Sequence, residues 1–355
     1  MQLFSPVSLG SLALSNRVVM APLTRLRADE HGVPGDLIAL HYAQRATAGL
    51  LITEGTFTSA GAQAYPGQPG IATDEQAEGW GRVADAVHEE DGLIVMQLMH
   101  AGRVTHPVVN SGLTIYAPSA TAIEGEVRTP DGAFPYPVPT AATADELQRI
   151  IEEHVAAARR AVEAGLDGVE VHSANGYLLH QFLSPTSNTR TDAYGGSPEN
   201  RARFGAEVIE AVAREIGADR VGVRISPERN IQDVLENDAE ETRLTYEAMV
   251  DAIAPLGLAY LSVLHPSPAS SLVQDLRRRF AGAVILNNGF TTPTTREEAR
   301  SLVNDGLADA VVVGRALLAN PDLVRRWRDE EQLNEPDAKT FYAAGATGYT
   351  DYPTL

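Results

Sequence analysis

His172, Asn175 and Tyr177 fall in one short stretch, Val169-Glu170-Val171-His172-Ser173-Ala174-Asn175-Gly176-Tyr177. An imidazole and a carboxamide can each donate a hydrogen bond. Two donors converging on one carbonyl oxygen make an oxyanion-type site. Tyr177 adds a phenol, a proton donor at neutral pH. A lone histidine after an apolar run is more often a satisfied core residue; three such groups together favour a site. One histidine and one asparagine, without further ligands beside them, do not make a metal centre.

Other polar residues break apolar runs in the same way. Arg224 sits inside the run 221–226. A buried guanidinium needs an anion. That anion is either an internal Asp or Glu, or charge that develops on a bound cofactor. Gln97 carries a donor and an acceptor on one amide, which suits an imide edge, and Thr24 offers one hydroxyl. Asn287-Asn288-Gly289 and Gly314-Arg315 each close an apolar run. Glycines let backbone N–H groups approach an anion, a helix start adds a favourable dipole, and Arg315 can grip phosphate with two donors. The plainer reading is a glycine turn with a surface ion pair.

Eight elements must position these groups. Short β-rich apolar runs occupy 17–22, 50–55, 93–100, 168–173, 221–226, 258–265, 283–289 and 308–315. Stretches with helical periodicity follow, among them 74–91, 144–164, 198–216, 239–256 and 294–305. Ser197-Pro198-Glu199 marks one helix start with a capping residue, a proline and an acid. Continuously apolar strands alternating with helices predict a parallel sheet, and eight units without a switch point predict a closed (β/α)₈ TIM barrel. Active sites of that fold lie at the C-terminal strand ends, and phosphates commonly bind after strands seven and eight. Thr24, Gly55, Gln97, His100, His172, Arg224, His265, Asn288, Gly289, Gly314 and Arg315 all stand at or near such ends.

Two segments fall outside the repeat. Residues 2–14 predict an N-terminal hairpin that plugs the barrel base. Residues 101–142 are rich in Pro and Gly, and a connection this long is usually functional. Its apolar pieces 113–116 and 134–138 predict an ordered lid over the mouth. The whole of 1–355 reads as a single domain.

Composition narrows the chemistry. The chain has 355 residues, no cysteine and one lysine, Lys339. Disulfides, thiolate-held clusters and a cysteine nucleophile are excluded. A Schiff-base lysine on a strand is excluded too. The net charge of −19 disfavours nucleic acid and anionic membranes as partners. No apolar run reaches the ~20 residues of a membrane helix. The N-terminus lacks a signal-peptide pattern. The expectation is a cytoplasmic enzyme, monomer or homodimer, acting on a small molecule.

Longer motifs carry a resemblance. Asn16-Arg17-Val18-Val19-Met20-Ala21-Pro22-Leu23-Thr24-Arg25 resembles the first strand of the Old Yellow Enzyme family. His172-Ser173-Ala174-Asn175-Gly176-Tyr177-Leu178-Leu179 with Gln181-Phe182-Leu183-Ser184-Pro185 is similar to that family's fourth-strand motif. Asn188-Thr189-Arg190-Thr191-Asp192-Ala193-Tyr194-Gly195-Gly196-Ser197, the segment from Gly314-Arg315 to Leu323, and Gly348-Tyr349-Thr350-Asp351-Tyr352-Pro353 extend the likeness over essentially the whole chain.

The resemblance implies FMN, with NADPH or NADH as reductant. It places Pro22, Leu23, Thr24 and Gly55 against the flavin, Gln97 on its pyrimidine edge and Arg224 near N1. Gly289, Phe290, Gly314 and Arg315 would hold the phosphate. His172 and Asn175 would bind the substrate oxygen, Tyr177 would protonate the α-carbon, and Tyr65 and Tyr349 would line the pocket. The implied reaction is a ping-pong reduction of activated alkenes, α,β-unsaturated carbonyls and nitroalkenes. Many members carry Ala at the position of Gly55 and a bulky aromatic at that of Met99, so a wider or softer pocket is expected here. A flavin-free sugar-phosphate isomerase on the same barrel has no use for Gln97 and Thr24. A flavin-binding redox sensor would lack turnover with an enone.

Overall fold

Valine, isoleucine and leucine fill both faces of eight short runs, and a strand apolar on both faces must be covered on both. In the computed structural model, which describes residues 2–129, 131–290 and 292–355, these runs form the barrel strands. They are β1 (Val18–Met20), β2 (Leu50–Ile52), β3 (Ile94–Met99), β4 (Gly168–Ser173), β5 (Val221–Ile225), β6 (Tyr260–Leu264), β7 (Val284–Asn287) and β8 (Ala310–Val313). Each pairs in parallel with its sequence neighbours, and β8 pairs with β1, which closes the ring. This is the expected (β/α)₈ barrel.

Eight helices cover it: α1 (Asp36–Ala43), α2 (Asp74–His88), α3 (Ala144–Glu163), α4 (Pro198–Ile216), α5 (Ala239–Ile253), α6 (Ser271–Phe280), α7 (Arg296–Asn304) and α8 (Leu323–Asp329). Thr73 and Thr143 build reciprocal capping boxes with Gln76 and Glu146. Ser197 caps α4 ahead of Pro198. The run 239–256 is shorter as an α-helix than its periodicity suggests. Pro255 has no N–H to donate, and 254–256 continue as a 3₁₀ turn. The run 294–305 likewise starts later, because Thr295 is the cap rather than a helical residue.

The barrel interior holds Val19, Leu50, Ile52, Val95, Tyr260, Ile285 and Val312. Leu9, Leu12 and Leu14 join that cluster from the hairpin strands Val7–Leu9 and Leu12–Leu14. The hairpin therefore plugs the base, as expected, although it begins at Val7. Its turn residue Gly10 has φ 58°, and a Cβ there would lie 2.3 Å from the Asp219 carbonyl oxygen. Only glycine lets the turn press so closely on the barrel.

At the other end, the segment 101–142 carries a hairpin, Glu126–Thr129 with Gly132–Pro135, and the parallel pair Tyr116–Ala117 and Thr140–Ala141. It covers the mouth, and the apolar pieces singled out in the sequence serve in part: Ile115 and Tyr136 turn inward. Leu113 and Val138 are exposed. Val104, Ile123 and Tyr136 make the inward contacts. Among the described residues, no helix is long and apolar enough to cross a membrane.

Candidate active site

Strand register assembles a buried polar layer just below the mouth. Gln97 on β3 pairs with Glu170 on β4, and His172 on β4 pairs with Arg224 on β5. All four side chains are buried. Gln97 Nε2 donates to Glu170 Oε1 at 2.8 Å. Arg224 Nη1 donates to Ser262 Oγ at 3.1 Å, while Arg224 Nε and Glu170 Oε2 have no protein partner among the described residues. Burial lowers the Arg224 pKa, and the charge of Glu170 pulls it back. Burial raises the Glu170 pKa against the pull of Arg224.

Glu170 is thus an internal anion near Arg224, which the sequence reading left unnamed. It sits two residues before His172 on the same strand, and residues two apart share one face. That spacing was its signal. The internal-acid reading of Arg224 leaves room for the cofactor reading, because the arginine retains a nitrogen unpartnered among the described residues and lines a cavity.

That cavity runs from Arg224 to Arg315. Pro22, Leu23, Gly289, Phe290 and Gly314 line it between these two cations. Gly289 has φ 96°, a backbone conformation that favours glycine. Arg315 donates to the Phe290 carbonyl, which fixes the guanidinium at the cavity end. Asn288, by contrast, is occupied by Glu298 and Thr294 and serves the loop. A cavity lined by a buried guanidinium, by glycines and by a second arginine suits the anionic groups of a flavin mononucleotide. Its ring would lie toward Arg224 and its phosphate toward Arg315. Thr24 follows the partly exposed Pro22 and Leu23 at the end of β1.

Gly55 lies against Gln97 and Met99. A Cβ at Gly55 would stand 3.4 Å from Gln97 Oε1 and 2.7 Å from Met99 Sδ. The expected widening is therefore corrected: the Met99 thioether already fills the space that the missing Cβ frees. The two departures compensate each other by volume.

The segment after β4 delivers the reactive groups. Asn175 has φ 57° and Gly176 φ 84°, so the chain turns sharply between His172 and Tyr177. Asn175 N–H donates to Ser226 Oγ at 2.9 Å. His172 Nδ1 and Asn175 Oδ1 are buried without a protein partner among the described residues. The His172 and Tyr177 rings are 5.2 Å apart. Burial, helped by the charge of Arg224, pushes the His172 pKa well below its usual range, so the imidazole is neutral. Burial, with Tyr65 next, pushes the Tyr177 pKa well above 10. Tyr65 and Tyr177 touch through their hydroxyls at 2.9 Å. Met99, Val104, Ile123 and Tyr136 pack around the pair.

Tyr349 is not in this cluster. Its ring is fully buried behind β1, stacked on His41 at 3.9 Å with Arg25 and Arg27 over its face. The tail tyrosine that approaches the mouth is Tyr342, which is exposed and acts electrostatically on both Tyr65 and Tyr177. The tail has no periodic pattern, so nothing in the sequence separated the two tyrosines. His100 is also structural: its Nδ1 accepts from Gly102 N–H, and its ring stacks near His154.

A barrel with a cavity lined by Arg224 and Arg315 and a His–Asn–Tyr cluster at its mouth points to a flavin-dependent oxidoreductase. The sequence profile of the NADH:flavin oxidoreductase / NADH oxidase family matches residues 2–334, and the chain belongs to that family. It is 44% identical to a probable flavin mononucleotide-dependent alkene reductase of Leishmania infantum, covering 99% of this chain and 97% of that protein. It is 41% identical to 12-oxophytodienoate reductase 1 of Oryza sativa subsp. japonica, over 99% and 93% of the two chains. The old yellow enzyme homologue from Zymomonas mobilis superposes with a TM-score of 0.94 at 37% identity, covering all of both chains. Morphinone reductase in complex with tetrahydroNAD superposes at 0.93 with 43% identity, over 100% and 98%. The Old Yellow Enzyme resemblance and the FMN expectation both hold.

Proposed function

We propose that this protein is an ene-reductase that takes reducing equivalents from NAD(P)H and reduces the C=C bond of α,β-unsaturated carbonyls and nitroalkenes. FMN, when bound, supplies the hydride. His172 and Asn175 hold and polarise the carbonyl or nitro oxygen. A neutral His172 does this by hydrogen bonding rather than by protonating the substrate. Hydrogen bonds to an oxygen that gains charge are strongest when charge develops, and that favours the transition state. Tyr177 gives its proton to the α-carbon. Its raised pKa keeps the phenol protonated, and the Tyr65 hydroxyl beside it can return a proton. Met99 and the lid residues around Tyr177 exclude water from that transfer.

The observation that carries this reading is the buried His172 Nδ1, unpartnered among the described residues, beside a protonated phenol and near a cavity lined by Arg224 and Arg315. Buried polar groups are nearly always satisfied, so a ring nitrogen left open there fits a ligand oxygen, with the Asn175 Nδ2 amide as the second donor. The test is NAD(P)H oxidation by the purified yellow protein with an enone present, compared with oxygen alone. Enone-dependent turnover with saturated product supports the reading. Oxidation that proceeds only to oxygen, with no product, overturns it.

A further inference from the structure

The elbow that presents Asn175 and Tyr177 is held from outside the site. Gly176 N–H donates to His180 Nδ1 at 2.8 Å. A ring nitrogen that accepts carries no proton, so the neutral ring keeps its proton on Nε2. His180 Nε2 then donates to Glu236 Oε1 at 3.0 Å. Tyr246 Oη donates to that same oxygen at 2.9 Å. The other Glu236 oxygen accepts from Glu228 N–H at 2.7 Å. His180 and Tyr246 are fully buried, and the Glu236 side chain is nearly so.

Both segments tied to Glu236 hold backbone that needs holding. Asn175 is left-handed with φ 57°. Glu228, Gln232 and Asp233 are left-handed in the loop between β5 and α5, at φ 60°, 55° and 56°. Non-glycine residues persist there only where their surroundings over-determine them. The two segments also meet: a Cβ on Gly176 would lie 2.8 Å from Gln232 Oε1.

We propose that His180 is a positioning residue for alkene reduction. Its Nδ1 fixes the left-handed elbow that sets the Asn175 amide and the Tyr177 phenol on one substrate, and Glu236, by accepting from Nε2, keeps the ring in the tautomer whose Nδ1 can accept. Neither residue touches the reacting atoms. The proposal rests on the roles given above to His172, Asn175 and Tyr177.

Two polar variants separate the nitrogens of the ring. In His180→Asn the carboxamide oxygen stands where Nδ1 stood, so the Gly176 contact survives and the Glu236 contact is lost. In His180→Gln the amide reaches Glu236, but nothing accepts from Gly176. Binding of 4-chlorophenol to the FMN-loaded protein is followed by flavin absorbance, and hydrogen exchange is followed at the Gly176 amide. His180→Gln should weaken phenol binding about three- to tenfold, the worth of one buried hydrogen bond, and speed exchange at Gly176. His180→Asn should stay within about twofold on the same scale. Equal losses in both variants, or no loss in either, would overturn the positioning role. Asn175→Ala belongs in the same titration. If it leaves phenol affinity unchanged, the oxygen-binding role of Asn175 falls instead, while the exchange comparison still judges His180.

Discussion

The hydroxyl oxygens of Tyr65 and Tyr177 stand 2.9 Å apart, close enough to share a proton. Tyr177 is the more deeply buried of the two. Burial and the neighbouring phenol keep its proton on through the neutral range. Tyr65 also has its pKa raised, by burial first, while its bond to Tyr177 works the other way. The pair therefore reads as a protonated acid with a reserve behind it.

Tyr177→Phe tests this directly. The ring and its packing remain and only the acid is lost. A positioned general acid contributes roughly 10²–10⁴-fold, so reoxidation by a simple enone should slow within or below that range. Quinones need no carbon protonation and should be nearly unaffected, as should flavin reduction by NAD(P)H. Stopped-flow traces of both half-reactions decide it. Equal slowing with enone and quinone would make Tyr177 a positioning group.

Arg315→Ala should weaken FMN binding while the barrel persists. The guanidinium is held at the cavity end by the Phe290 carbonyl, and among the described residues no carboxylate pairs with it, which leaves its charge for an anion. Hydrogen bonds to charged groups are worth about 1.5–3 kcal/mol, or roughly 10- to 150-fold in affinity. Flavin fluorescence titration measures it. Unchanged affinity would move the phosphate elsewhere.

Gly55 and Met99 should behave as one unit. In Gly55→Ala the new methyl would lie 2.7 Å from Met99 Sδ, so the flexible thioether must move within the cluster it shares with Tyr177. The fold should survive, and KM for bulky enones should rise more than KM for small ones. Adding Met99→Ala should relieve it. Contacting residues show non-additivity of about 0.5–3 kcal/mol. A double-mutant cycle on kcat/KM that comes out additive would refute the coupling.

Buried neutral histidines set an acid limit on stability. Burial lowers His100 to about 3 and His154 to about 4. A histidine whose folded pKa is depressed binds fewer protons folded than unfolded. Its contribution is complete above the unfolded pKa near ~6.5 and is lost as pH falls toward the folded value. These two rings together should cost about 2.7 kcal/mol per pH unit between roughly pH 6 and 4. Melting of FMN-saturated protein across pH 7.5 to 5 should show at least that fall, because His41 and His172 are depressed in the same direction, and His154→Gln should flatten it by about 1.4 kcal/mol per pH unit. Two parallel slopes would show that His154 does not titrate this way.

The sequence reveals most of what repeats and little of what is fitted once. All eight strands were legible because a strand covered on both faces must be apolar along its length. His172, Arg224 and Gln97 were legible because they break that rule. Glu170 breaks it too, but its partners lie on neighbouring strands, and register is not written in one strand alone. The match of Gly55 to Met99 is a match of volumes across β3, invisible position by position. Tyr342 and Tyr349 look alike in an irregular tail. Only packing shows that one meets Arg25, Arg27 and His41 while the other reaches the mouth.

The packed barrel interior, with the N-terminal hairpin beneath it, makes a blind vessel. With Leu9, Leu12 and Leu14 stoppering the base, traffic is confined to the rim under the lid, and whatever enters must back out the way it came. Two reactants that share one doorway and one floor cannot stand there together, so they queue. Alternation between reductant and alkene then follows from the plumbing of the vessel, without any gate that senses which of them is present. Changes at that rim, where the exposed Tyr342 acts on Tyr65 and Tyr177, should retime the queue while leaving the chemistry on the floor untouched.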